Sequence, residues 1–146
     1  MARAKHKYRA YPFESVGEKF IDESGKTRKE TSANLFESML LSAAYKSLSD
    51  RQARLYTVCK AQFYGKRKPG YDYKESGLFQ GDEFFYLNWA TVQRYGVYPA
   101  SSSKNFYRDM QALQDHGFIQ KVASGKAHKK KNVYSFSDRW QAWQPP

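Results

Sequence analysis

The strongest constraint on this 146-residue chain lies between residues 101 and 119. A serine cluster, Ser101 to Ser103, precedes Phe106, Met110 and Leu113, and His116-Gly117-Phe118-Ile119 follows at once. Apolar residues three and four apart fall on one face of a helix. Ser101 or Ser102 supplies an N-cap, and Gly117 supplies the residue that lets a helix end in a left-handed turn. The spacing predicts a helix from about Ser101 to His116 that runs directly into a strand over Phe118–Val122.

The flanking segments narrow the fold further. Phe84-Phe85-Tyr86-Leu87 reads as a short strand. Asn88 is placed to cap a helix from Trp89 to Tyr95, Gly96 to end it, and 97–100 to form a turn. Residues 123–132 form a polar, lysine-rich loop, and Val133-Tyr134-Ser135-Phe136 a returning strand. Upstream, Ser49 and Gln52 have the spacing of a capping box, with Leu48 as the staple. Leu55, Val58, Cys59 and Phe63 then form a buried stripe, and Gly65 the stop. Residues 49–136 therefore run helix, strand, helix, turn, helix, strand, loop, strand. That order predicts an α+β fold in which three helices bury their stripes against one another and a small antiparallel sheet.

The remaining segments are read more coarsely. Leu35, Phe36, Met39, Leu40, Ala43, Ala44 and Leu48 fit one helical stripe, but Ser42 fits equally well as the cap of a shorter helix, with Leu35 to Ser38 extended. Lys19 to Arg28 suggests a small hairpin around Ser24-Gly25. Residues 1–34 read as a basic, partly disordered arm, and 35–146 as the folded domain with a Trp-bearing C-terminal extension. Lys66-Arg67-Lys68-Pro69-Gly70 opens a long polar loop reaching about Asp82. Ser137 is placed to cap a last turn carrying Trp140 and Trp143, which one helical face can bury together. Trp89, Tyr95, Trp140 and Trp143 read as core or homodimer contacts rather than base-stacking platforms.

Charge points to the partner. The chain carries 25 basic and 14 acidic residues, a net +11. Residues 101–146 alone hold 8 basic against 3 acidic. Such an excess attracts polyanions, nucleic acid foremost. Other classes find little support. One cysteine, Cys59, allows neither a disulfide framework nor a cysteine-based zinc site. His6, His116 and His128 have no metal-ligand spacing, and no phosphate loop, nucleophile elbow or paired carboxylates occur. The expectation is a protein with no catalytic residues, metal or cofactor. Mean hydropathy is −0.86, no apolar run is long enough for a membrane span, and the basic N-terminus lacks the apolar segment of a secretory signal. A reducing cytoplasm is the expected location.

Two resemblances sharpen this. Ser102-Ser103-Lys104-Asn105-Phe106, Met110, Leu113 and His116-Gly117-Phe118-Ile119, followed by a basic hairpin, resemble the recognition helix and wing of winged helix-turn-helix proteins, over roughly 84–136. Upstream, Met39-Leu40-Leu41-Ser42, Tyr45-Lys46, Leu48-Ser49 and Leu55-Tyr56 are similar to the N-terminal domain of plasmid replication initiators from Gram-positive bacteria. Ala53-Arg54-Leu55-Tyr56 has one residue fewer than that family's run, and Gly77-Leu78-Phe79 stands near where the family has Gly-Trp. The resemblances imply a winged helix bound to double-stranded DNA, in replication initiation or transcription control on a plasmid or other mobile element, with replication proteins as further partners.

The implied contacts follow from helix geometry. With Phe106 at zero and 100° per residue, Lys104, Arg108 and Gln111 lie at roughly 160°, 200° and 140°, away from the core. Arg and Lys pair with guanine and Gln with adenine in a major groove. Ser102 and Ser103, at the helix start, suit a phosphate. In the wing, Lys126, His128, Lys129, Lys130 and Lys131 repel one another unless phosphates relieve the repulsion. Arg3, Lys5, Lys7 and Arg9 form an arm suited to a minor groove. Each group also has a plain reading as solvated surface. A winged helix that contacts protein, and an RNA-binding protein, are the alternatives, because fold alone does not separate them.

Overall fold

In a computed structural model, residues 10–62, 83–123 and 132–146 are described. The chain divides into two units, 1–31 and 32–146. In the first, β1 (Lys19–Ile21) and β2 (Thr27–Lys29) form an antiparallel hairpin in the register Lys19↔Lys29, Phe20↔Arg28, Ile21↔Thr27. Asp22 makes the turn. Its carboxylate accepts the Ser24 N–H (2.9 Å), the Ser24 hydroxyl (2.6 Å) and the Lys26 N–H (3.0 Å), and pairs with Arg28. The local aspartate-to-backbone bonds are what aspartate offers a turn. Gly25 takes φ 87° there.

The second unit begins with two short helices, α1 (Glu37–Leu40) and α2 (Ala43–Lys46). The apolar spacing across 35–48 is compatible with one helix, and Ser42 prevents it; the segment before Ser42 is not extended as far as Ser38 either, because the backbone turns helical at Glu37, after an extended Phe36. The Ser42 backbone is extended, at φ −69° and ψ 152°, and its hydroxyl accepts from the Tyr45 N–H, starting a new helix. A serine side chain competes with the helical ladder for backbone partners in this way. Leu35 and Met39 still pack on the core, but Phe36 and Leu41 stay exposed.

Next comes α3 (Asp50–Ala61), with the capping box closed in both directions: Ser49 Oγ accepts from the Gln52 N–H, and Gln52 Oε1 from the Ser49 N–H. Leu55, Tyr56, Val58 and Cys59 are buried. Phe63 and Gly65 lie outside the described residues. After β3 (Phe84–Tyr86), Asn88 caps α4 (Trp89–Gln93) through the Thr91 N–H at 2.9 Å. Then follow α5 (Ser103–Asp115), β4 (Ile119–Ala123), β5 (Val133–Phe136) and a 3-10 turn at Arg139–Ala142.

The sheet of this unit is antiparallel, in the order β3-β5-β4. Central β5 aligns Phe85 with Tyr134 on one side, and Lys121 with Tyr134 on the other. The β4–β5 register shifts between Lys121 and Ala123, as at a β-bulge. Phe85, Leu87, Val92, Phe106, Met110, Leu113, Phe118 and Ile119 make the core with the α3 stripe. No helix among the described residues is long and apolar enough to cross a membrane.

Candidate nucleic-acid interface

The position of α5 is set by its buried face. Phe106, Met110 and Leu113 are buried, and the ring of Phe106 lies 5.9 Å from Trp89 and 6.0 Å from Tyr98. Trp89 is therefore a core contact. Beside these apolar anchors sits a residue the apolar spacing does not reveal. Asp109 is buried, 2% exposed, and lies next to Met110 on the inward side. It accepts from Tyr98 OH at 2.6 Å, Arg51 Nε at 2.7 Å and Gln52 Nε2 at 3.3 Å. A buried carboxylate is tolerated only with such partners. The Arg51 guanidinium also lies 5.2 Å from the centre of the Tyr98 ring. Burial, and then the bond to Asp109, push the Tyr98 hydroxyl above the usual phenol range. Together these contacts join the first turn of α3, the turn before α5, and the middle of α5. The one available sequence signal was an acid three residues after Phe106, inside the apolar stripe.

The far end of α5 is fixed as firmly. Gly117 takes φ 83°, and a Cβ there would stand 2.5 Å from the Trp140 backbone nitrogen. The Phe118 N–H donates to Leu113 O, and the Trp140 N–H to Gly117 O, both at 3.0 Å. Trp140 stacks on Phe118 with centroids 6.2 Å apart, and Trp143 on His116 at 4.6 Å. His116 Nδ1 lies 2.7 Å from Ala112 O, near the negative end of the helix dipole. The two C-terminal tryptophans thus pack on their own chain.

With its inner face and its C-terminal end held, α5 presents Lys104, Arg108 and Gln111 as exposed side chains on the side opposite its core anchors. Lys104 and Arg108 pair with no acid among the described residues. Gln111 Nε2 donates to Asp115 Oδ1 at 2.9 Å. Tyr107, half exposed with its ring 4.8 Å from Phe106, borders this face and was not anticipated, although about 100° from Phe106 marks it as a boundary position. Ser102 and Ser103 are half-buried. Ser102 occupies the N-cap position, but its side chain makes no capping bond. The wing residues Lys126, His128, Lys129, Lys130 and Lys131, the arm residues Arg3, Lys5, Lys7 and Arg9, and Lys66, Arg67 and Lys68 lie outside the described residues.

Among the described residues, no group of three His, Cys, Asp or Glu side chains is gathered as a metal site would require. Cys59 is fully buried, and burial pushes its thiol upward, away from the reactive thiolate. Comparison with known proteins finds no matching family model, curated protein or solved structure.

Proposed function

We propose that the unit 32–146 is a winged helix-turn-helix that binds double-stranded DNA, with α5 in the major groove and the 124–131 loop along the phosphate backbone. The observation that carries this is the outward set Lys104, Arg108 and Gln111 on a helix whose other side is packed in the core and whose C-terminal end is tied to the segment after β5. The order α3, β3, α4, α5, β4, β5, with β5 between β3 and β4, supports it as the arrangement expected of such a domain. So does the net charge of +11. Action in replication initiation or transcription control on a plasmid or other mobile element belongs to the same proposal, and rests on the resemblance over residues 39–56. Of the ten matching residues, Ser42 and Ser49 are caps, Leu55 and Tyr56 are buried, and Met39, Tyr45 and Leu48 pack against the core. They speak for a shared fold more than for a shared role.

Selection from a random duplex library at physiological salt tests the proposal. A recovered site, lost with Lys104→Ala/Arg108→Ala, is expected. Replacing Lys129, Lys130 and Lys131 should weaken all duplexes alike and flatten the salt dependence by about one unit of slope per lost phosphate contact. Equal binding to random duplex, duplex RNA and any selected site would sink the reading. One observation favours a second, protein-binding reading: Phe36 (72% exposed), Leu41 (60%) and Leu40 (39%) put apolar side chains on the surface around α1. A partner captured by that segment, and lost with Phe36→Ser, would support it.

A further inference from the structure

We propose that Gln111 reads one adenine in the major groove and that Asp115 is the positioning residue that orients it. This rests on the DNA-binding reading above and adds to it the identity of one base and the device that selects it. The two side chains are one helical turn apart on the exposed side of α5, joined by the 2.9 Å bond from Gln111 Nε2 to Asp115 Oδ1. A carboxylate only accepts, so the amide nitrogen, and not its oxygen, faces residue 115. A primary amide has two N–H donors and one acceptor oxygen. One donor is spent on Asp115. The other N–H and Oε1 remain, and they are the pair that matches adenine N7 and N6–H.

Without Asp115, a glutamine on an exposed helix face samples many rotamers and both amide orientations, and ordering it on DNA costs side-chain entropy. The bond to Asp115 settles both before DNA arrives. The neighbouring amide does not compete, because Gln114 Oε1 already accepts the Lys121 backbone N–H at 3.1 Å. Gln111 and Asp115 also line a shallow cleft that includes Arg139 and Trp143. A carboxylate on a DNA-facing surface opposes the phosphates. Affinity and selectivity should therefore move in opposite directions when Asp115 is removed, which a merely structural residue would not produce.

The test uses the full chain and the duplex it selects from a random library, with each position then varied through all four base pairs. Asp115→Ala should bind random duplex several-fold more tightly, yet lose about 10-fold of its discrimination at one A·T pair. Gln111→Ala should lose discrimination at the same pair, and the double variant should lose no more than either. Asp115→Asn, which keeps an acceptor without the charge, should gain affinity and keep the preference. Circular dichroism and melting of each variant should match the parent, as both side chains are exposed. If the parent selects a site and Asp115→Ala keeps every preference, or loses one at a different pair from Gln111→Ala, this inference falls alone. If the parent selects no site, the DNA-binding reading falls with it.

Discussion

Asp109→Asn changes one atom in a buried side chain and should cost more than any surface substitution in α5. All three groups facing the carboxylate are donors: Arg51 Nε, Tyr98 OH and Gln52 Nε2. The new amide must turn its N–H₂ toward one side of that set. Facing Oδ2's partners would set it against two donors, so it will take the Oδ1 position and give up the 3.3 Å bond from Gln52. That loss is about 1 kcal/mol. The two bonds left on the oxygen are no longer assisted by a full negative charge, which removes roughly another 0.5–1 kcal/mol each. The full cost of about 3–5 kcal/mol for stranding a buried charge does not apply. The Arg51 side chain is 42% exposed and regains water. The sum is about 2–3 kcal/mol, or roughly 8–12 °C in Tm for a unit of this size. Urea unfolding followed by tryptophan fluorescence is a suitable assay, since Trp89 lies 5.9 Å from Tyr98. A midpoint shift worth less than about 0.5 kcal/mol, the scale of an ordinary surface change, would refute the account. So would strict additivity in the cycle of Arg51→Ala with Asp109→Ala, where a coupling of about 1–2 kcal/mol is expected.

Further expectations concern single sites. Gly117→Ala meets both a positive φ and the Trp140 backbone nitrogen at 2.5 Å, whereas Gly96→Ala, at φ 69°, meets nothing within 4 Å. The first should cost about 3 kcal/mol or more and the second about 1 kcal/mol, by chemical denaturation. The Arg28 guanidinium, followed by the Ser24 hydroxyl, holds the Asp22 carboxyl well below its ordinary value of 3.8. Its folded value is depressed, so its contribution to the β1–β2 hairpin is present in full above pH 4 and is lost as pH falls through the folded value. NMR of the hairpin amides in acid should show them shifting below pH 3, and Asp22→Asn should abolish that dependence. Cys59 should resist alkylation at pH 8 in the native chain and react at an ordinary thiol rate in denaturant, as quantified by mass spectrometry.

The elements most legible in the sequence were those defined by neighbours. Ser49 with Gln52, Asn88 before Trp89, and Gly117 after Leu113 each state a local rule of capping or termination, and the structure follows each. Local rules also placed β3 and β5 to within a residue. Ser42 was legible only as an alternative, because the spacing of Leu35, Met39 and Ala43 argues for continuity while one hydroxyl argues against it. What the spacing could not give was tertiary. Asp109 has the angular position of a core residue and the chemistry of a surface one, and its partner Arg51 is 58 residues away. The stacking of Trp143 on His116 and Trp140 on Phe118 depends on where the chain returns after β5. Within the candidate interface, the exposure of Lys104, Arg108 and Gln111 followed from the helical period alone. The bond from Gln111 to Asp115 needed side-chain coordinates, since two residues at that spacing can equally point apart.

The bond from the Trp140 N–H to Gly117 O ties the segment after β5 to the last turn of α5. Tension applied to residues 144–146 is delivered to the foot of the helix that carries Lys104, Arg108 and Gln111, not dissipated in a loose tail. A chain cut after Phe136 would uncover the Phe118 ring and free the Gly117 carbonyl together. Its helix would fray from the end nearest Gln111, so shortening the protein there would blunt the grip of residues that the cut never touches.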